Sequence, residues 1–282
     1  MRWIRERKDS PNLSPILVAS YLLHMFRNGS STSLINSIRS AINFFTLSVL
    51  DLENCVIIKK LFKFFYKQRP LQPRYTTFWP VEQLLNFLRS WFPLESLTLK
   101  QLTLKTIALI ALTSSDRGQT LHKATIHNMK ISPNKIEFVI REKVKNTRKI
   151  LKPTIITCVS SAISELDVAS HVSFYIEKTK DFRDEKGQVF ISWLTKKPVV
   201  KQSLARWLKE VLSLAGIDTS VYKSHSYRGA GLSHAYQKGA SIDQIVRAGN
   251  WANSSTFNMY YNAPSHTSNV GNIILGEVNP QE

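Results

Sequence analysis

The sequence contains few cysteines, few acidic residues and no long apolar run. Its two cysteines, Cys55 and Cys158, form neither a disulfide framework nor a metal-ligand pair with the scattered histidines, so we expect a reducing, intracellular setting. The richest apolar run, 102–112, is interrupted by polar residues and is too short to cross a bilayer. The charged N-terminus lacks the apolar stretch of a signal peptide. We therefore expect neither a membrane protein nor a disulfide-stabilised one.

Only 20 acidic residues oppose 38 lysines and arginines in this chain of 282 residues, which leaves a net charge of +18. A hydrophobic fraction of 43% is enough for a buried core, so a disordered chain is excluded. The length predicts two domains. Such an excess of positive charge indicates a polyanionic partner, most commonly nucleic acid. Composition alone leaves open a basic protein that is merely soluble, or one that binds acidic lipid.

The N-terminal part of the sequence predicts a small helical unit. Ser14 and Pro15 have the residue types of a helix start, and Gly29 follows the last apolar residue at helical spacing. Two further segments with helical periodicity follow at 34–45 and 53–66. The third helix has an apolar side and a side dense in lysine.

Two prolines interrupt the helical pattern at 68–75, and we interpret this segment as an interdomain linker. The predicted domains are residues 1–72 and 73–282. Two short β-rich runs flank the charged stretch 141–149, a pattern typical of a hairpin. A further short strand is predicted at 188–192. Helices are predicted at 81–91, 99–113, 168–182, 203–214, 224–238 and 241–249. The predicted fold is therefore mainly α with a small antiparallel β-sheet.

The last part of the chain concentrates groups suited to a phosphodiester. His225 and Arg228 lie three residues apart on a predicted helix, so a proton-transfer group and a planar, always-charged donor share one face. Trp251 has an indole N–H that can only donate. Tyr260 lies nine residues beyond it and is followed by Tyr261. A tyrosine hydroxyl can act as a nucleophile when cations lower the cost of its ionisation. Each piece alone is more often a surface pair or core packing.

Together these residues resemble the signature of the tyrosine recombinase (phage integrase-like) family. That signature is an early arginine, a hairpin lysine, His-x-x-Arg, a histidine or tryptophan, and a tyrosine nine residues beyond. Here it falls on Arg117, Lys145, His225, Arg228, Trp251 and Tyr260. The motifs Arg-Gly-Gln-Thr-Leu-His, Ala-Gly-Asn-Trp and Ser-Thr-Phe, with the linker segment 69–75, are most similar to recombinases of DIRS-like eukaryotic retrotransposons. The resemblance spans about 15–264.

The resemblance implies a two-domain recombinase, with a helical core-binding domain before an α+β catalytic domain. Arg117 and Arg228 would clamp the scissile phosphate and neutralise its developing charge. Tyr260 would attack phosphorus, forming a 3′-phosphotyrosyl link and freeing a 5′-hydroxyl. Its neighbour Tyr261 is the rival, and only the nine-residue spacing favours Tyr260. The resemblance also implies that neither a metal nor a nucleotide cofactor is needed, because arginines supply the positive charge.

Three further roles follow from the resemblance. Lys145 would protonate the leaving 5′-oxygen as a general acid, with Lys143 as its rival in the same hairpin. His225 would assist proton transfer at the tyrosine. Trp251 would donate to the phosphate and pack beneath the helix of the nucleophile.

The expected partner is double-stranded DNA, because basic residues lie in both predicted domains and could contact phosphates on both sides of a duplex. The family implies a homotetramer on two DNA sites and a nuclear location, and we expect no membrane and no small-molecule substrate. The predicted DNA-binding residues are Lys59, Lys60, Lys63, Lys67, Arg69, Arg74 and Arg148.

The predicted function is that of a site-specific DNA recombinase or integrase, acting in transposon integration. One alternative is a type IB topoisomerase-like nicking and closing activity. The other is a domesticated or inactive protein that binds DNA without cleaving it. Thr120 favours the inactive reading, because the family often has an acidic residue three positions after the first arginine.

Overall fold

The computed structural model describes residues 14–46, 50–70, 72–142, 153–184 and 187–261. The chain divides into two compact units, Met1–Pro73 and Arg74–Glu282, and each has its own hydrophobic core. Within the described ranges, no helix is both long enough and apolar enough to span a membrane.

The first unit contains three helices, α1 (Pro15–Arg27), α2 (Thr32–Thr46) and α3 (Val56–Gln68). The side chain of Ser14 caps α1 by accepting a hydrogen bond from the Leu17 amide, at 3.2 Å. The core is formed by the apolar stripe of each helix, and the rings of Phe26 and Phe65 stack within it at 4.3 Å. This unit is as helical as its apolar periodicity predicts.

The second unit surrounds a helix that is buried on almost every side. The helices are α4 (Val81–Arg89), α5 (Leu99–Thr113), α6 (Gly118–His122), α7 (Val168–Lys178), α8 (Lys201–Leu214), α9 (Ser226–Gln237), α10 (Ile242–Ala248) and α11 (Ser255–Tyr260). Central α5 begins at a capping box between Thr98 and Gln101 and packs against α7, α8 and α9. All side chains from 102 to 112 are buried, which explains why this mostly apolar segment has no separate polar face.

A three-stranded antiparallel sheet lies in the order β1 (Met129–Ser132), β2 (Lys135–Ile140), β3 (Thr154–Val159). Alternate residues of β2 are buried in the core of this unit, and Ile136 pairs with Cys158 of β3. The predicted fold class, mainly α with a small antiparallel sheet, is confirmed.

One predicted element differs in the structure, two elements were not predicted, and one predicted connection lies outside the described residues. The segment 188–192, predicted as a strand, forms isolated bridges, Thr125 with Gln188 and Ile191 with Pro198. Pro198 has no N–H to extend the second bridge into a ladder. Strand β1 and the short helix α6 were not predicted, since neither is long enough to show a periodic pattern. The predicted hairpin connection lies outside the described residues, and with it Lys143, Lys145 and Arg148.

Candidate active site

Arg228 lies at the centre of the candidate site, on α9, with only 6% of its surface exposed. Its Nη1 donates to the carbonyl of Ser115 at 2.7 Å, and its Nη2 donates to the carbonyl of Gly249. Its buried Nε has no hydrogen-bond partner among the described residues. A buried donor without a partner carries a desolvation cost that a bound anion would remove.

Close packing of two helices brings Arg228 to this position. A Cβ at Gly231 of α9 would lie 2.6 Å from the Leu112 carbonyl oxygen on α5, so glycine allows the two backbones to approach. On the same helix, Ser226 accepts a hydrogen bond from the indole of Trp79 at 2.8 Å. These core contacts fix the rotation of α9, and with it the direction of Arg228.

The loop after α5 brings a second arginine to the site. Ser115 has a φ of 54°, in the left-handed region that non-glycine residues rarely adopt, and its carbonyl accepts from Arg228. Two residues later, half-buried Arg117 occupies the N-cap position of α6. Its positive charge contributes, after burial, to a lowered pKa of the Arg228 guanidinium. Two neighbouring guanidinium groups make a site for an anionic oxygen.

Asp116 lies between these elements and was missed in the sequence analysis. Burial raises the pKa of its carboxyl to about 7, although the charges of Arg228 and Arg117 and a hydrogen bond from Ser114 act in the opposite direction. The available signal was its place directly before Arg117 in the sequence. In its ionised form, this carboxylate offsets part of the positive charge of the two arginines.

Aromatic rings also pack against Arg228 and against one another. The Arg228 guanidinium lies over the ring of Trp251, and the ring of Tyr261 follows at 4.9 Å from that of Trp251. Phe78 stacks on the far side of Tyr261 with a centroid distance of 6.2 Å. Ser233 donates from its hydroxyl to the Tyr261 carbonyl. The hydroxyl of Tyr261 lies near enough to Arg228 to raise the pKa of the guanidinium, by charge and by hydrogen bonding, against the larger effect of burial.

The surroundings of Tyr260 differ from those of Tyr261. It is the last residue of α11 and is half-buried. In the described part of the chain, Trp251 makes its ring contacts with Phe257 and Tyr261, not with Tyr260. Tyr261 follows as the C-cap residue, outside the helical conformation, and is the tyrosine whose hydroxyl affects the pKa of Arg228.

His225 lies at the N-cap position of α9, with its side chain exposed to solvent. Its Nε2 lies 3.1 Å from the hydroxyl of Tyr75, at the start of the second unit. Partial desolvation of the ring, and then the charge of Arg74, lower the pKa of His225. The lowered pKa favours the neutral imidazole, the form that can accept a proton.

The predicted DNA-binding residues differ in their surroundings. The lysines of α3, at 59, 60, 63 and 67, are exposed, while Phe62 and Phe65 of the same helix are buried. Arg69 donates to the Phe26 carbonyl at 2.9 Å and the Ser30 carbonyl at 3.2 Å, so its guanidinium caps the end of α1. Arg74 is exposed. No described contact assigns any of them to DNA, and each stays a prediction.

The second unit thus combines a mainly helical core and a three-stranded sheet with a cluster of two arginines, a tryptophan and a tyrosine. Residues 74–267, more than half of the chain, match the Phage integrase family, and the chain belongs to that family. No curated protein sequence matches the chain significantly.

Solved structures of recombinases share this fold at low sequence identity. The XerH site-specific recombinase, bound to palindromic difH substrate in a post-cleavage complex, is 13% identical with a TM-score of 0.64; the match covers 98% of this chain and 76% of that one. The Tn1549 transposon integrase, in complex with transposon right end DNA, is 12% identical with a TM-score of 0.62, over 98% and 90% of the chains. A lambda integrase dimer bound to a core site is 12% identical with a TM-score of 0.56, over 93% and 85%.

Proposed function

We propose that this protein cleaves and rejoins DNA strands through a covalent phosphotyrosyl intermediate, as a site-specific recombinase or integrase. The observation that carries the proposal is the buried guanidinium of Arg228, held by two carbonyls and an indole ring, with Arg117 and a tyrosine hydroxyl beside it. Membership of the phage integrase family supports the same reaction class.

The proposed reaction is a transesterification at phosphorus. A tyrosine oxygen forms a bond to the phosphorus of the scissile phosphodiester, and the bond to the 5′-oxygen breaks. His225, whose lowered pKa favours the neutral form, takes the tyrosine proton, and a general acid protonates the leaving 5′-oxygen. Arg117 and Arg228 stabilise the charge on the non-bridging oxygens. The reverse attack by a 5′-hydroxyl rejoins the strands, so no bond energy has to be supplied from outside.

Lys145 is the proposed general acid. A lysine can give a proton to the leaving oxygen because its ammonium group is both charged and able to dissociate. It lies outside the described residues, so its role rests on the family pattern.

Two tyrosines compete for the role of nucleophile. Tyr260 has the nine-residue spacing from Trp251 that the family pattern favours. Tyr261 has the position beside Arg228, in the stack with Trp251 and Phe78. The described geometry favours Tyr261, since a nucleophile has to reach the phosphate that Arg228 holds.

A suicide-substrate assay tests both the function and the nucleophile. The protein is incubated with nicked DNA carrying candidate element termini, denatured, and examined on a gel for a covalent protein–DNA adduct. Tyr260→Phe and Tyr261→Phe are compared with Tyr236→Phe, which changes a tyrosine that contacts Phe257 and not Arg228. We expect the adduct to persist in Tyr236→Phe and to be lost in one of the other two variants, which then identifies the nucleophile.

The same assay distinguishes the alternative activities. An adduct without joining to a second duplex supports type IB topoisomerase-like nicking and closing. DNA binding without an adduct, across several terminal sequences, supports the inactive reading that Thr120 suggests. Against that reading, the acidic group missing at Thr120 has a nearby counterpart in Asp116, which lies close to both arginines.

The biological setting is also a proposal. We propose that the chain acts on double-stranded DNA as a homotetramer on two sites, in the nucleus, during integration of a DIRS-like element. The DIRS-like motifs of the sequence support this setting, and so does the fold shared with a transposon integrase bound to transposon end DNA.

A further inference from the structure

Tyr75 connects the first segment of the second unit to the turn that precedes α9. Its hydroxyl oxygen lies 3.1 Å from Nε2 of His225 and accepts a hydrogen bond from the backbone N–H of Lys223 at 3.3 Å. The two partners are 148 and 150 residues away in sequence. Tyr75 is the last residue of the linker segment 69–75, and the family signature assigns it no catalytic role.

Aromatic packing holds the Tyr75 ring in place. Its centroid lies 5.5 Å from the ring of Tyr222, 5.6 Å from that of His225 and 5.8 Å from that of Phe78. Ring contacts of this kind restrict side-chain rotation. The hydroxyl therefore has a defined position relative to His225, which is otherwise exposed.

The hydrogen bonds around the Tyr75 oxygen bear on the tautomer of His225. A backbone N–H can only donate, so Lys223 uses one lone pair of the Tyr75 oxygen. The second lone pair can accept from an Nε2–H of His225. A neutral imidazole that donates from Nε2 has its acceptor lone pair on Nδ1.

We propose that Tyr75 is a positioning residue for strand cleavage: it orients the His225 ring and keeps the ring proton on Nε2, which leaves Nδ1 free to take the proton of the tyrosine nucleophile. The inference rests on the proposed function, in which His225 handles the proton of the tyrosine. Tyr75 itself does not touch the reacting phosphate. Its contribution is to hold one tautomer and one ring orientation while DNA binds.

Tyr222 provides a matched control. It lies in the same aromatic cluster, and its hydroxyl donates to the Thr77 carbonyl at 3.3 Å, on the same segment as Tyr75. Tyr222→Phe and Tyr75→Phe each remove one hydroxyl and keep one ring. Only Tyr75→Phe removes a hydrogen bond to His225.

The first measurement is the single-turnover rate of adduct formation, together with DNA affinity. We expect Tyr75→Phe to slow cleavage roughly three- to tenfold, the effect of one lost hydrogen bond, with DNA affinity changed less than about twofold. Tyr222→Phe is expected to cleave at the wild-type rate. In a His225→Gln background, Tyr75→Phe is expected to have no further effect, because the two residues act as one unit.

The second measurement is ¹⁵N NMR of the histidine ring nitrogens, with the His225 signals assigned from the His225→Gln variant. We expect wild-type His225 to carry its proton on Nε2, and Tyr75→Phe to shift the population toward Nδ1–H. Equal cleavage and equal His225 spectra for Tyr75→Phe and Tyr222→Phe would overturn the inference. If the wild-type protein forms no adduct on any substrate, the proposed function fails, and the spectra still decide whether Tyr75 sets the tautomer.

Discussion

The guanidinium carbon of Arg228 lies 4.7 Å from the centroid of the Trp251 ring. The indole therefore covers one face of the guanidinium, while the carbonyls of Ser115 and Gly249 hold its two terminal nitrogens. The buried Nε has no hydrogen-bond partner among the described residues. Trp251 fixes the direction of the Arg228 guanidinium through a cation–π contact.

Substitutions of Trp251 should therefore separate the contribution of the aromatic ring to cleavage from that of the indole N–H. We expect Trp251→Ala to lower the cleavage rate by roughly tenfold or more, because Arg228 loses its cation–π partner and Tyr261 loses its neighbour in the stack. Trp251→Phe keeps an aromatic face and is expected to retain more activity than Trp251→Ala. Single-turnover adduct formation measures both. Equal losses in the two variants would assign the role to the indole N–H instead.

Asp116 should make stability depend on pH. The folded-state pKa of Asp116, about 7, lies above its ordinary value of 3.8. Between these two pH values the carboxyl is protonated in the folded state and ionised in the unfolded chain. The stability that this proton contributes is full at low pH and is lost as the pH rises toward 7. Between pH 5 and 8, we expect the wild-type free energy of unfolding to fall by about 2–3 kcal/mol more than that of Asp116→Asn, at about 1.4 kcal/mol per pH unit.

Urea unfolding of both proteins at pH 5 and pH 8 measures this difference. Asp181→Asn is the control, since Asp181 is an exposed aspartate in the same unit. It should follow the wild-type dependence on pH. Parallel behaviour of wild type and Asp116→Asn would show that the Asp116 carboxyl is ionised throughout this range.

The exposed lysines of α3 should determine much of the salt dependence of DNA binding. We expect a variant with glutamine at positions 59, 60, 63 and 67 to bind DNA more weakly and to show a shallower slope of log Kd against log salt. Each lost phosphate contact reduces the slope by roughly 0.9. Titration at several salt concentrations measures it. Glutamine at Lys178 and Lys209, two exposed lysines of the second unit, is the comparison, and an equal change there would contradict a specific role for α3.

Arg69 shows why charge alone does not identify a DNA contact. Its place directly after the α3 lysines in a basic segment predicts a DNA contact. In the structure its guanidinium lies 4.0 Å from the centroid of the Phe26 ring and donates to two carbonyls near the end of α1. A positive side chain near the C-terminus of a helix is stabilised by the helix dipole, without any external partner.

The sequence by itself determined the mainly helical fold class, most of the long helices and the pairing of two β-rich runs. Each of these depends on apolar periodicity over ten or so residues, which is a local property of the chain. The resemblance to the tyrosine recombinases was also visible, because the His225–Arg228 spacing and the motifs around Arg117 and Trp251 are local patterns.

Only the tertiary structure decided which groups meet at the site. Tyr75 reaches His225 across 150 residues, and Ser115 turns its carbonyl to Arg228 through a left-handed conformation that no local pattern predicts. The choice between Tyr260 and Tyr261 as the neighbour of Arg228 depends on how the end of α11 packs, where Tyr261 lies against the ring of Trp251. Contacts of this kind are set by packing between distant elements, and packing is decided by the whole folded chain.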